Sequence, residues 1–305
     1  MSLSAPVIRN HTNEHLPQPS TVTNSLPERV ITPHEGVDAF RDAMRSMVRD
    51  WPFTRGLAWR MFLRDTRAAY RQSFLGYVWL LLPALANTLV WVFLNGASVV
   101  HIDSGDVPYP LFVFTGTVLW TAFNGSLVGA MSIVDEARGT LAKVNFPHES
   151  LVLSAFGKSL LNTAATAIFV IPFLLVYHME FRTTMLLFPL GILATMLCGT
   201  ALGLIVLPFT ALFSDLGRAI HLGLRFAFFL TPVIFPVPLS GWGYRLMMAN
   251  PATSLFVTSR SWLIGGEPPM YIAFSLVTVS SILLLLVAVV TLKVSLPHII
   301  ERISG

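Results

Sequence analysis

Four arginines in the chain are spaced so that one face of a helix could bind phosphate groups. They are Arg60, Arg64, Arg67 and Arg71, at intervals of four, three and four residues. At about 100° per residue, their guanidinium groups fall within one narrow arc of a helix, opposite a set of aromatic and apolar residues. The spacing predicts a basic amphipathic helix lying on a membrane surface, with its arginines toward phosphates. The plainer interpretation of each arginine alone is an ordinary anchor beside a membrane span.

Two short motifs resemble enzyme signatures but lack required partners. Gly157-Lys158-Ser159 would need a glycine five positions before Gly157 to form a phosphate-binding loop, and Val152 stands there. His148-Glu149 has no second histidine at the spacing of a zinc protease. We therefore predict no catalytic, cofactor-binding or metal-binding residues in this chain, and no enzyme activity of its own.

The composition is typical of an integral membrane protein. The chain is 54% hydrophobic and 12% charged, whereas soluble domains carry about 25% charged residues. Six runs without Asp, Glu, Lys or Arg cover 72–102, 107–134, 159–179, 183–214, 226–244 and 268–292. Each is long enough for a membrane-spanning helix of about 20 residues, so the predicted fold class is all-α with six transmembrane helices. Three prolines between positions 232 and 238 interrupt the fifth run.

The order of these segments predicts four regions. Residues 1–50 are expected to form a partly disordered cytoplasmic tail, since the first 30 are polar, proline-containing and lack an apolar signal segment. The amphipathic helix covers 51–73, the transmembrane domain 74–294 and a cytoplasmic C-terminal tail 295–305. The basic stretch FSDLGRAIHLGLR is interpreted as a loop, and the fifth span is placed at about 219–235, overlapping its end. Residues 236–268 are interpreted as one or two short re-entrant helices.

The positions of the basic residues predict the orientation of the chain. All but three of the 20 lysines and arginines lie on one side of the six-span arrangement. The three on the other side are Arg182, Arg245 and Arg260. The positive-inside rule therefore places both termini in the cytoplasm.

The spans hold almost no ionisable groups, which bears on the energy source. Carriers coupled to protons or sodium usually keep acids or bases at that depth. We therefore expect an ATP-hydrolysing partner. The segment 143–149 (KVNFPHE) offers it a docking element, because Pro147 can occupy the first position of a helix and leave Phe146 as an apolar anchor. A plain loop is the alternative interpretation.

Aromatic and small residues mark possible contacts within the membrane. A conduit for sugars is typically lined by aromatic rings, on which sugar C–H faces stack, although most such residues serve as interfacial belts or core. The candidates are Tyr77, Trp91, Phe112, Phe114, Trp120 and Phe123. Two small-residue pairs, Gly125 with Gly129 and Gly199 with Gly203, predict close helix approach within one subunit rather than dimerisation.

Several stretches in order resemble the permease (transmembrane) subunit of bacterial ABC-2-type polysaccharide exporters, the family that exports O-antigen, capsule and teichoic acid. They are YRQSFLGYVW, YPLFVFTGTVLW, KVNFPHES, FSDLGRAI, LTPVIFP and NPATSLFVTSRSWLIGG, spread over about 54–292. The first 50 residues have no counterpart in this resemblance.

The resemblance implies an ABC-2 (type V) exporter-like fold in the bacterial inner membrane. Two copies of the chain would form a channel for a polyprenyl-diphosphate-linked glycan, and two copies of a cytoplasmic ATPase, which hold ATP and Mg, would drive it. It implies a lipid-diphosphate entrance at Arg60, Arg64, Arg67, Tyr70, Arg71, Gln72 and Ser73. It implies ATPase coupling through Lys143, Asn145, Phe146, Pro147, His148 and Glu149. It also implies a periplasmic gate at Trp242, Tyr244, Arg260 and Trp262.

Two other functions fit parts of the pattern. An ABC-2 exporter of teichoic acid, a drug or a small lipid would share the spans and the separate ATPase. A membrane enzyme acting on polyprenyl phosphates would need clustered acids at the cytoplasmic face, where the available acids are scattered.

Overall fold

The computed structural model describes residues 44–71, 76, 78–105, 107–141, 147–264 and 269–304. Its regular elements within those ranges are helices, joined by short turns. In chain order they are α1 (Trp51–Tyr70), α2 (Val78–Gly96), α3 (Tyr109–Met131), α4 (Ile133–Leu141), α5 (Glu149–Ala167), α6 (Val170–Val176), a 3-10 helix (Thr183–Leu187), α7 (Phe188–Leu212), α8 (Ser214–Leu230), α9 (Gly241–Ala249), α10 (Pro251–Ile264) and α11 (Tyr271–Ser304). Of the predicted tail over 1–50, residues 1–43 lie outside the described residues, and residues 44–49 form one further short helical stretch before α1.

Five helical segments are long and apolar enough to cross a membrane. They are Val78–Gly96, Tyr109–Met131, Glu149–Val176, Thr183–Leu212 and Tyr271–Lys293. The chain is therefore a multi-pass membrane protein, as predicted. The last of these helices continues to Ser304, so the segment predicted as a C-terminal tail after residue 294 continues the last helix.

The segment predicted as the fifth span differs most from expectation. Its helix, α8, begins at Ser214 and ends at Leu230, with 17 residues. The stretch FSDLGRAI, predicted as a loop, is therefore largely helical. At 1.5 Å per residue α8 is about 26 Å long, against a hydrocarbon core of about 30 Å. A sixth span therefore stays a prediction.

The third predicted span contains a break with a local cause. Residues 168 and 169 separate α5 from α6, and Pro172 lies one turn later, inside α6. A proline ring clashes with the carbonyl four residues before it and cannot donate to it. That carbonyl belongs to Ile168, which instead accepts a bond from the backbone N–H of Ile171 at 3.2 Å. The break follows from this displaced bond.

The centre of the fold is the contact between α3 and α7, which are buried along most of their length. A Cβ atom placed on Gly199 would lie 2.4 Å from the carbonyl oxygen of Phe123, and one on Gly203 would lie 2.3 Å from that of Leu127. The two backbones therefore approach too closely for any side chain. Gly125 similarly faces Ser159 of α5. The prediction that both small-residue pairs pack within one subunit is confirmed.

Helix α1 is held against α5 by one face. Thr54, Ala58 and Met61 are buried there, at the spacing of successive turns. Pro52 occupies the first turn, where its missing N–H leaves no intrahelical bond unmade. The residue that precedes the helix is Asp50, and Thr54 lies one turn inside it.

Candidate functional site

The arginines of α1 lie away from its buried face. Arg60, Arg64, Arg67 and Arg71 are all exposed, as the spacing predicts. Among the described residues, Arg64 is the arginine of this set that forms an ion pair. Its Nη2 lies 2.9 Å from Oδ1 of Asp65. Tyr70 ends the helix, while Gln72 and Ser73 lie outside the described residues. The arginine face can therefore present guanidinium groups to a phosphate, with Arg64 partly neutralised.

The lysine of the incomplete phosphate-loop motif, Lys158, joins three elements. The Nζ atom of Lys158 on α5 lies 2.5 Å from Oε2 of Glu136 on α4, and 3.7 Å from Oδ2 of Asp65 on α1. The side chains are about one third to one half exposed. These partners are far apart in sequence, and no local spacing could have predicted the cluster. It fixes α1 to the helices on both sides of the segment 142–146.

The predicted coupling segment is described only at its end. Lys143, Asn145 and Phe146 lie outside the described residues. Helix α5 begins at Glu149 with His148 as its N-cap. Pro147 therefore stands before the cap rather than at the first helical position, and the prediction that it starts the helix is wrong. Its carbonyl accepts bonds from the N–H and hydroxyl of Ser150, at 3.0 and 2.6 Å.

Glu149 forms the most buried ion pair among the described residues. Its Oε1 lies 2.6 Å from Nζ of Lys293 on α11, and the two side chains are 10% and 24% exposed. The same lysine donates to the hydroxyl of Ser46 at 2.8 Å. Burial lowers the pKa of the neighbouring His148, and the charge of Glu149 partly opposes that shift. The first residue of α5 is thus tied to the last span.

Three of the candidate channel aromatics are core residues of the protomer. Phe112, Phe114 and Phe123 are buried, and Phe114 stacks on Phe173 with ring centres 4.6 Å apart. In this conformation they offer no surface to a passing chain, because neighbouring helices cover them. Tyr77 lies outside the described residues. For Trp91 and Trp120, which are only half-buried, lining of a channel stays a prediction.

Those two tryptophans belong to an aromatic cluster that the sequence did not reveal. The rings of Trp120 and of Phe228 on α8 form a T-shaped pair with centres 5.4 Å apart. Trp91 of α2 packs edge-on against Phe229 and Phe235, at 6.2 and 5.7 Å. Both tryptophans are half-buried. The cluster joins α2 and α3 to α8 along one side of the protomer.

A groove, which we call the α3–α8 groove, continues from this cluster. Its aromatic end is a cavity of about 470 Å³ lined by Trp120, Asn124, His221, Leu224, Arg225, Phe228 and Phe229. A second cavity, of about 550 Å³, shares His221 and extends to Ser132, Asp135 and Arg218. None of the 17 residues of α8 is buried, so this wall of the groove faces outward. The spacing of Arg218, His221 and Arg225 is the signal in the sequence that indicates this helical face, and interpreting the segment as a loop misses it.

The four predicted gate residues divide into two groups. Trp242 and Tyr244 are exposed on α9, at 81% and 38%. Trp262 of α10 packs against Phe274 with ring centres 4.8 Å apart. Arg260 of α10 is buried and makes a different set of contacts. The structure does not bring the four together into one site.

Arg260 instead holds the turn after α8. Its Nη2 donates to the carbonyls of Pro232 and Val233, at 2.8 and 3.2 Å, and its guanidinium lies 3.7 Å from the ring centre of Phe112. A Cβ on Gly116 would lie 2.5 Å from that nitrogen. The absence of a side chain at Gly116 is thus a condition for the arginine to reach the turn.

Comparison with known families decides the class of this chain. The family described as ABC-2 type transporter matches residues 56–264, from the first turns of α1 to the last residue of α10. The chain belongs to the ABC-2 type transporter family. The two short helices α9 and α10 fall inside the matched segment, whereas α11 and Lys293 follow it. The resemblance noted in the sequence is confirmed at this level.

Three curated relatives are similar over most of their length. The O-antigen export system permease protein RfbA of Myxococcus xanthus is 30% identical over 226 residues, which cover 72% of this chain and 84% of the relative. The protein of the same name from Klebsiella pneumoniae is 24% identical, over 67% of this chain and 78% of the relative. The polysialic acid transport protein KpsM of Escherichia coli is 24% identical, over 68% and 80%. An ABC-2 family member with these relatives is a transporter permease.

Proposed function

We propose that two copies of this chain form the channel of an ATP-driven exporter, which moves a polyprenyl-diphosphate-linked polysaccharide across the bacterial inner membrane. The observation that carries the proposal is the similarity, over two thirds or more of this chain, to permeases named for O-antigen export and polysialic acid transport. The exposed arginine face of α1 supports a lipid diphosphate as the anchored end, because guanidinium groups bind phosphate in a bidentate manner.

The energy is proposed to come from two copies of a separate cytoplasmic ATPase, which bind ATP and Mg. The segment 143–149 would receive the movement of that partner, with both termini of this chain on the same cytoplasmic side. The ties of Lys158 and Lys293 support this assignment, since they join the helices on either side of the segment to α1 and α11. A push at this end would therefore reach the spans through ion pairs as well as through the backbone.

A homodimer is proposed because one protomer leaves the α3–α8 groove open. Large apolar side chains of α8, including Leu222, Phe226 and Phe229, are exposed. A second copy facing them would close the groove into a conduit, with the exposed Trp242 and Tyr244 of α9 at its outer end. This arrangement would give the glycan a path shielded from lipid.

The entrance is tested by replacing Arg64, Arg67 and Arg71 together with alanine in the full chain. We expect strong loss of polysaccharide at the cell surface, because a diphosphate would lose most of its charged contacts. The ATPase activity of the assembled complex should stay within about twofold of wild type, since the buried face of α1 is unchanged. Surface polysaccharide is measured by immunoblot and flow cytometry.

The matched control is Arg55→Ala, which removes an equally exposed arginine of α1 that lies about 150° from the arginine arc. Its export should stay near wild type. Unchanged export in the triple variant would rule out the entrance, and equal loss in both variants would assign the effect to general charge.

A further inference from the structure

We propose that the aromatic end of the α3–α8 groove is a binding subsite for a negatively charged group on a sugar, with Arg225 and His221 contacting the anion and Trp120 contacting the ring. This inference rests on the proposed export of a glycan and adds a charge preference to it. The arginines of α1 are a separate face of the molecule and take no part in this subsite.

The cationic residues of α8 share the face that lines the groove. Arg218, His221 and Arg225 are three and four residues apart, so they fall within about 60° of one another around the helix. Both cavities include His221. The second cavity, which we call the lower cavity, adds Arg218, and the cavity at the aromatic end, which we call the upper cavity, adds Arg225. The groove therefore carries basic groups over two turns of α8, and two of these groups, His221 and Arg225, face Trp120 and Asn124 of α3.

The acids that face these groups are few and lie toward the lower end. Asp215 pairs with Arg218 at 3.2 Å, and Asp135 lines the lower cavity. The upper cavity is lined by no carboxylate among the described residues, and Arg225 forms no ion pair there. Most of the other residues that line this cavity are aromatic or aliphatic. A charged group in such a setting within a membrane protein is costly unless it meets an anion or water, and such charges mark substrate pathways. The excess of basic over acidic side chains around the upper cavity favours an anionic ligand.

The remaining lining residues suit the rest of a sugar. Trp120 supplies an aromatic ring on which the C–H face of a pyranose can pack, and Asn124 lies at the cavity wall. The volume, about 470 Å³, is within the range of sites for small ligands. The shared chemistry is an anion next to a sugar ring. It could come from an acidic sugar within the glycan or from the diphosphate that joins the first sugar to its lipid.

The test uses the full chain in nanodiscs with one reporter cysteine. The natural cysteine, Cys198, is buried, so an Asn124→Cys variant reacts with a polar maleimide selectively at the groove. Gly223→Cys is the matched control, because residue 223 is exposed on the opposite side of α8. Labelling rates are measured alone and with three probes: a glucuronate-containing hexasaccharide, inorganic diphosphate, and neutral maltohexaose.

We expect at least one anionic probe to slow labelling at position 124, with no effect at position 223 and none from maltohexaose. Protection by the glucuronate probe assigns the subsite to acidic sugars, and protection by diphosphate assigns it to the lipid-linked end. In Arg225→Gln, the concentration needed for half-protection should rise between about tenfold and a hundredfold. Arg225→Lys should recover part of that loss.

Several results would overturn the subsite. Protection by maltohexaose equal to that by the anionic probes would leave no role for the basic residues. Absence of protection by every probe, or equal protection at position 223, would remove the site. A position 124 that does not react even without probes would mean that a second copy fills the groove. The proposed function is tested separately, by deleting the gene and assaying surface polysaccharide. Loss of surface polysaccharide on deletion would support the export function even if the labelling experiment shows no anion binding at the subsite.

Discussion

The ion pair between Glu149 and Lys293 gives the sharpest quantitative prediction. Replacing Lys293 with methionine keeps most of the side-chain length and removes the ammonium group that lies 2.6 Å from Oε1 of Glu149. The carboxylate would then remain in a site where its other oxygen, Oε2, is buried and has no hydrogen-bond partner among the described residues. The perturbation thus leaves a nearly buried charge unpaired.

The magnitude lies between two known limits. Removing one partner of a fully buried pair costs about 3–5 kcal/mol, whereas exposed pairs contribute about 0.2–1 kcal/mol. With side chains 10% and 24% exposed, we expect Lys293→Met to lower the free energy of unfolding by about 2–3 kcal/mol. Glu149→Gln alone should cost less, because a neutral amide is less costly to bury.

The assay is a double-mutant cycle measured by denaturant unfolding in mixed micelles. The Glu149→Gln and Lys293→Met variants, singly and together, should give a coupling energy of about 1.5–2.5 kcal/mol. The control is Arg218→Gln, whose pair with Asp215 is 81% and 90% exposed and should change stability very little. A coupling energy below about 0.5 kcal/mol would refute the reasoning, because it would mean that solvent screens the pair.

Three further predictions test other contacts. Gly199→Val should prevent stable folding, because its Cβ would lie 2.4 Å from a backbone oxygen of Phe123, which cannot move aside. Fluorescence-detected gel filtration should show aggregation of this variant. The control Gly217→Ala, whose Cβ would meet nothing within 4 Å, should behave as wild type. Arg260→Met should leave the carbonyls of Pro232 and Val233 unpaired and lower the free energy of unfolding by about 2–4 kcal/mol; a change under about 1 kcal/mol in a micelle unfolding assay would contradict this. Burial lowers the pKa of His148 in the folded state. Its contribution to stability is therefore full above the pKa of the unfolded chain, about 6.5, and is lost as pH falls below that value. Between pH 7 and pH 5 the free energy of unfolding of His148→Gln should fall less steeply than that of wild type, and equal pH dependence in the two proteins would refute the assignment.

Local pattern predicted much of the fold because the relevant physics is local. Uncharged length, proline positions and the spacing of arginines depend on neighbouring residues, and they gave the fold class, α1, and the short helices before the last span. The same reasoning failed at α8, where Asp215, Arg218 and Arg225 suggested a loop. Charges on one face do not prevent a helix when they point into a groove, and the sequence alone does not show that groove.

Contacts between distant residues were beyond prediction for a different reason. The partners of Lys158 and Lys293 lie on other helices, and their pairing depends on how those helices pack. Burial also changed the meaning of correct patterns. Phe112 and Phe114 are aromatic residues in a membrane helix, as a conduit would need, yet neighbouring helices cover them. A sequence gives the residue type at a position but not the surface that remains open.

The distribution of ties leads to a prediction about movement. Helices α1, α4, α5 and α11 are joined by the pairs of Lys158 and Lys293, while α8 has no buried residue. We infer that a push at residues 143–149 would move the tied helices as one body and change their distance from α8, opening or closing the α3–α8 groove. Spin labels at 160 on α5, 223 on α8 and 286 on α11 can measure this in the complex with its ATPase. Adding ATP should change the 160–223 distance and leave the 160–286 distance constant. Equal changes in both would mean that the ion pairs do not hold α5 to α11 during transport.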